Sequence, residues 1–242
     1  MRSHLRSAVR LVSAAAGAAA ASYTGYVTVT WWRYGQPKSP LGAEADPLLD
    51  RFMPIYEVAE RHQIDVHAPA ETTLAAACEM NLLDSPVTRA IFRAREVMLG
   101  STPDTERRPA ALLPLVQSLG WGVLAVVAGR EIVVGAVTRP WEPNVTFRAL
   151  PPEEFADFHD PGYAKIVWTL RADPIGGSES IFRTETRVTT TDAESRARFR
   201  GYWSFVSPGI LLIRRLLLQP LRREAERRAR DMWAVGSAVH AG

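Results

Sequence analysis

Cysteine is nearly absent from this chain: one residue, Cys78, in 242. That excludes a disulfide framework within the chain and a zinc site built on cysteines. Lysine is nearly absent too, at Lys38 and Lys165 only, so the 29 basic residues are almost all arginine. A net charge of +3 leaves no strong basic footprint, and no nucleic-acid partner is expected. There is no glycine-rich phosphate loop, no GxSxG elbow and no HExxH pair. No cofactor, no metal and no catalytic set is therefore expected. Disorder and collagen-like structure are excluded by 47% hydrophobic and 23% charged residues. The length suffices for one sizeable core, or for one domain with an appendage.

The first ten residues carry Arg2, Arg6 and Arg10 and no acid. An uncharged run follows from Leu11 to Trp32 and ends in Trp31-Trp32-Arg33. About 20 such residues span a bilayer as a helix, and cationic and aromatic flanks suit its two interfaces. The run reads as an uncleaved membrane anchor over residues 1–33. The N-terminus is then cytoplasmic and the bulk of the chain outside. Two alternatives stand beside it. One is a signal peptide cleaved after Ala19-Ala20-Ala21, giving a secreted product; the other is an interfacial or soluble helix, because the run is mostly Ala, Ser, Thr and Gly. Residues 34–53, with Gly35, Pro37, Pro40, Gly42 and Pro47, read as a linker.

A globular domain is expected over 54–232, with a flexible tail at 233–242. Residues 55–67 alternate, with Tyr56, Val58, Ile64 and Val66 on one face, as a half-buried strand does. A helix follows Ala68-Pro69-Ala70. Another starts at Ser85-Pro86, a hydroxyl N-cap before proline, and stops at Gly100. Residues 110–118 read as a short helix. The runs on either side of Ala128-Gly129-Arg130 read as a hairpin, and those at 163–172 and 179–190 as a second one. Between them, 144–149 reads as a short strand and PPEEFADF as a helical turn. Thr191 with Glu194 reads as a capping box opening a long helix. Phe199, Trp203, Val206, Ile210, Ile213, Leu217 and Leu221 form its apolar stripe, and Pro208 predicts a kink or a restart at Ser207. The class is α+β: an antiparallel sheet with a long terminal helix across it.

The strand–turn–helix run HQIDVHAPAETTLAAA resembles the opening of START-like proteins, the SRPBCC or Bet v 1-like superfamily. The segments GWGVLAVVAGREIVVGAVTRPW and FRTETRVTTTDAESRARFRGYW resemble a bacterial branch of it, and the likeness covers roughly 54–230. It implies a helix-grip fold in which a curved sheet and the last helix enclose a deep cavity. Relatives use that cavity for lipids, sterols, polyketides or hydrophobic hormones. Some are cyclases or dehydratases; many only bind or carry.

The cavity-lining candidates are Trp121, Trp141, Phe147, Trp168, Phe182 and Trp203, because ligand pockets are mainly apolar with a few polar anchors. The polar anchor candidates are Asp65, Glu185, Arg187 and His159. Arg183, Glu185 and Arg187 share one face of the 179–190 strand, opposite Phe182, Thr184, Thr186 and Val188. Whether the charged set points inward or forms a solvent-facing ladder is open at this stage. His62 and His67 leave opposite faces of their strand and cannot share a metal. Cys78, in an alanine-rich helix without a basic neighbour, reads as an inert thiol.

The functional expectation is a membrane-tethered protein that binds a hydrophobic small molecule or lipid. The alternatives are a cavity enzyme of cyclase or dehydratase type and a structural domain whose cavity is filled by its own side chains. The run GILLIRRLLL at 209–218 is apolar nearly all round and is followed by an arginine-rich stretch. It needs a second partner, either an anionic membrane surface or the helices expected at 70–99.

Overall fold

A computed structural model describes residues 2–102 and 108–240, with side chains for 13–102 and 108–234. The uncharged N-terminal run forms helix α1 (Arg2–Arg33). A 3-10 turn (Gly42–Glu44) and α2 (Pro47–Asp50) follow, the latter capped by Asp46, whose Oδ1 accepts from the Leu49 amide at 2.8 Å. Then come β1 (Val58–Val66), α3 (Ala70–Glu79), α4 (Pro86–Leu99) and α5 (Leu112–Ser118). The expected hairpin is β2 (Gly122–Val127) and β3 (Glu131–Thr138), with Gly129 at the turn in the left-handed region. β4 (Phe147–Arg148), α6 (Pro152–Asp157), β5 (Ala164–Pro174), β6 (Ser180–Thr190) and α7 (Ala193–His240) complete the chain.

All strand pairs are antiparallel, in the order β1-β6-β5-β3-β2, with β4 pairing on β3. Register decides the faces. Glu60 pairs with Thr186, and Thr186 with Trp168; Val58 pairs with Val188, and Val188 with Ile166. Side chains of directly paired residues leave the same face of a sheet, so these six share one. Helix α7 packs across that face, as the helix-grip arrangement requires. Phe199, Trp203, Val206, Ile213 and Leu221 of its stripe are buried, continued by Ala225 and Ala229.

The other face is buried as well. Leu49, Phe52 and Met53 from the segment after α1, with Phe155 and Phe158 around α6, pack onto Val133, Val137 and Val167. Residues 34–56 are therefore a strap docked on the sheet rather than a free linker. Tyr34 donates to Glu57 Oε2 at 2.6 Å, and Arg171 donates to the carbonyls of Ala43 and Ala45, both at 2.9 Å.

Three expectations need correction. No helix among the described residues is long and apolar enough to cross a membrane. Alanine, serine, threonine and glycine carry too little apolar surface, and Ser13 through Gly25 are exposed. Instead, the second half of α1 lies against α7: Tyr23 donates to the Phe205 carbonyl at 2.6 Å, and Arg200 donates to the Trp31 carbonyl and sits over its ring, 4.3 Å from the centroid. Secondly, the cap of α7 is Asp192, not Thr191: its Oδ1 accepts the Ser195 amide at 2.9 Å, while the Thr191 hydroxyl donates to the Tyr163 carbonyl. Thirdly, Pro208 does not restart the helix. It and Pro220 lie inside one continuous α7, and Ser207 meets the Tyr26 hydroxyl at 3.2 Å. The helix runs through His240, so the tail expected at 233–242 is helical over its described part.

The leucine-rich part of α7 meets α3 and α4, where Gly209 lies close under Ile91. Leu212 and Leu216 stay exposed. Among the following arginines, Arg222 pairs with Glu226, Arg227 with Glu224 and Asp231, and Arg228 with Glu224 and Glu79.

Candidate functional site

Between the inner sheet face, α4 and α7 lies a cavity of about 560 Å³. Its walls come from the sheet and from two helices. Trp121 and Phe147 enter from the ends of β2 and β4, Ile166 and Trp168 from β5, Thr186 and Val188 from β6, and Phe199, Tyr202, Trp203, Val206, Ile210 and Ile213 from α7. Ile91, Phe92 and Arg95 of α4 close one side. A second lobe of about 340 Å³ adjoins it, sharing Phe92, Trp121, Phe147, Trp168, Ile210, Ile213 and Arg214 and ending on Leu170, Phe182 and Leu221.

The aromatic wall is ordered by its own packing. Trp121 lies 4.8 Å from Phe147, centroid to centroid, and meets Trp168 edge-on at 6.1 Å. Phe199 stacks on Trp203 at 6.0 Å with an 18° interplanar angle. Phe147 is held by a tight turn: Gly120 has φ +98°, and a Cβ there would stand 2.2 Å from the Phe147 carbonyl oxygen.

Few polar groups face this space. Glu60 lines it, and burial raises its pKa, with Arg214, Arg215 and Arg61 pulling the other way. The Thr186 hydroxyl is buried without a hydrogen-bond partner. Arg214 lines both lobes. Burial lowers its pKa to about 10, and its only hydrogen bond among the described residues is a long one, 3.4 Å from Nη1 to Thr184 Oγ1. Arg95 donates to the Tyr202 hydroxyl and the Pro140 carbonyl, both at 3.3 Å. His62, in register with Thr184, is kept neutral, its pKa lowered to about 4 by burial and then by Arg214 and Arg215. No group of three metal-ligating side chains occurs among the described residues. Burial pushes the Cys78 thiol up to about 11, which makes it a poor nucleophile.

The sequence candidates separate cleanly. Trp121, Phe147, Trp168 and Trp203 stand on the wall of the large lobe, and Phe182 on that of the small one. Trp141 is not on either wall; it packs beside the Tyr34–Phe199–Trp203 cluster. None of the four polar anchor candidates faces the cavity. Asp65 and His159 are exposed, and Glu185 and Arg187 leave the opposite face of β6, beneath the strap. They do not form the solvent-facing ladder either, because Arg187 is fully buried. Of the polar residues on the cavity wall, Glu60, Thr186, Arg95 and Arg214 carry no signal that the sequence analysis used. For Glu60 and Thr186 the missing signal is strand register, which carries Trp168 and Thr186 to one face. For Arg214 it is helical spacing, four residues beyond Ile210 on the buried stripe.

No family model matches the chain, and no curated protein does. Solved structures similar to it include CalU16 from Micromonospora echinospora, at 10% identity over 72% of this chain and 86% of that one, TM-score 0.25. The Zhui aromatase/cyclase from Streptomyces sp. R1128 is 13% identical over 71% of this chain and 94% of its own, TM-score 0.22. Norcoclaurine synthase from Thalictrum flavum, in complex with dopamine and hydroxybenzaldehyde, is 11% identical over 75% of this chain and 98% of its own, TM-score 0.21. At these TM-scores the likeness carries neither fold nor function over to this chain.

Proposed function

We propose that this chain is a START-like binding protein that holds a largely aromatic small molecule between its sheet and α7. The observation that carries this reading is the cavity of about 560 Å³ bounded by Trp121, Phe147, Trp168, Phe199 and Trp203. Pockets of that size, mainly apolar with a few placed polar groups, are what small-molecule sites look like. Native mass spectrometry of the gently purified full chain tests it. A bound organic molecule of discrete mass is expected; bare protein, together with no binding of any aromatic probe, contradicts it.

One observation favours a second reading, an enzyme acting in the same cavity. Glu60 is a carboxyl of raised pKa facing apolar walls, the setting in which a carboxylic acid serves as general acid or base. Glu60→Gln would then abolish turnover of the bound molecule and leave its affinity in place, whereas a pure binder would release the molecule unchanged.

A further inference from the structure

Arg214 is a cation on the wall of a mainly apolar cavity, and among the described residues no ion pair holds it. It stands where the two lobes meet, with Phe92, Trp121 and Trp168 among the shared wall residues. Among the described residues no carboxylate lies within ion-pair distance of it, although Arg222, Arg227 and Arg228 on the same helix all have one. Its one hydrogen bond, to Thr184, is at the long limit. The titratable groups that interact with it are Glu60 and His62 on β1, while Arg95 and Glu96 of α4 line the same cavity. Glu60 stands beyond ion-pair distance, and burial and the neighbouring arginines lower the His62 pKa to about 4 and keep it neutral. A half-buried guanidinium without an ion-pair partner is open to an anion, and a carboxylate is the group that matches its forked donors.

We infer that the ligand is an aromatic acid whose carboxylate is received by Arg214 at the junction of the lobes, with its rings against Trp121 and Trp168. The Thr186 hydroxyl, buried and unpartnered, is a further donor on the same wall. This inference rests on the cavity reading above and adds the charge of the ligand to it.

A matched pair of probes tests it: 2-naphthoate and the isosteric neutral 2-naphthamide, titrated into the full chain and followed by quenching of tryptophan emission. The acid is expected to bind at least about tenfold tighter than the amide. Arg214→Gln is expected to abolish that preference, Arg214→Lys to retain part of it, and Arg227→Gln, in a surface ion pair of the same helix, to leave it intact. Equal affinities for acid and amide in the unmodified protein overturn the inference and leave the cavity reading standing. So does a preference that survives Arg214→Gln. Failure of both probes to bind counts against the cavity reading itself.

Discussion

Arg187 and Glu185 meet at 2.7 Å, Nε to Oε1, on the face of β6 that is turned away from the cavity. Strand alternation puts the two on one side, two residues apart, and the strap closes over them. Arg187 also donates to Asp50 of α2 and to the Met53 carbonyl, and its guanidinium lies 4.6 Å from the Tyr56 ring centroid. The same Glu185 oxygen receives Arg61 at 2.7 Å. This ion-pair set holds the strap to the sheet. Removing one partner of a buried pair costs about 3–5 kcal/mol, because the other charge stays behind. Arg187→Met is expected to lower the urea unfolding free energy by about that amount. Because the site is on the opposite sheet face, probe affinity of the folded fraction should stay within about twofold. A loss under about 1 kcal/mol would mean that the strap is held by its apolar residues alone.

Phe199 ties α7 to the sheet. It is 1% exposed and touches Tyr34, Tyr202 and Trp203 with ring centroids 6.0–6.1 Å away. Phe199→Ala is expected to cost about 3–5 kcal/mol in chemical unfolding. An unchanged unfolding midpoint would contradict the packing of α7 on the inner face.

Gly120 links stability to the cavity wall. At φ +98°, with the Phe147 carbonyl oxygen 2.2 Å from any Cβ, an alanine fits neither the backbone nor the space. Gly120→Ala is expected to destabilise the fold and to weaken aromatic-probe binding by displacing Phe147 and its partner Trp121. Wild-type affinity in a well-folded variant would show that this corner does not shape the cavity.

On the outer face Glu131 is held protonated. Burial first, and then the neighbouring Asp46 carboxyl, push its pKa up to about 8. The folded state therefore binds this proton more tightly than the unfolded chain does. The stabilisation is fully present below the unfolded carboxyl value near 4.5 and is lost as the pH rises through about 8. Glu131→Gln is expected to flatten the fall in stability between those limits, measured by urea unfolding across the range. Parallel profiles for the two proteins would contradict a protonated Glu131.

Much of this fold is legible in the sequence because its signals are local. The alternation from Val58 to Val66 gives β1; Ser85-Pro86 and Gly100 bound α4; and the stripe from Phe199 to Leu221 identifies the buried side of α7. What was not legible depends on contacts distant in sequence. The strap looks like a linker because prolines and glycines dominate it, and its anchors, Arg171 and Arg187, lie more than a hundred residues away. The conspicuous charges of the sequence, Asp65, His159, Glu185 and Arg187, do not face the cavity. Yet only pairing register shows that β6 turns its threonines, not its charges, toward the cavity. The N-terminal helix is legible as a helix, while its alanine content limits what it can do in a membrane.

The most direct test of the cavity reading is to fill the space and titrate again. Ile166 points from β5 into the large lobe, so Ile166→Trp puts an indole where a ligand would lie. Isothermal titration calorimetry of the full chain with 2-naphthoate is expected to give one site per chain in the unmodified protein. It is expected to give no measurable binding in the folded variant, with a thermal midpoint that the ligand raises only in the former. Equal binding by both proteins would contradict the cavity as the site.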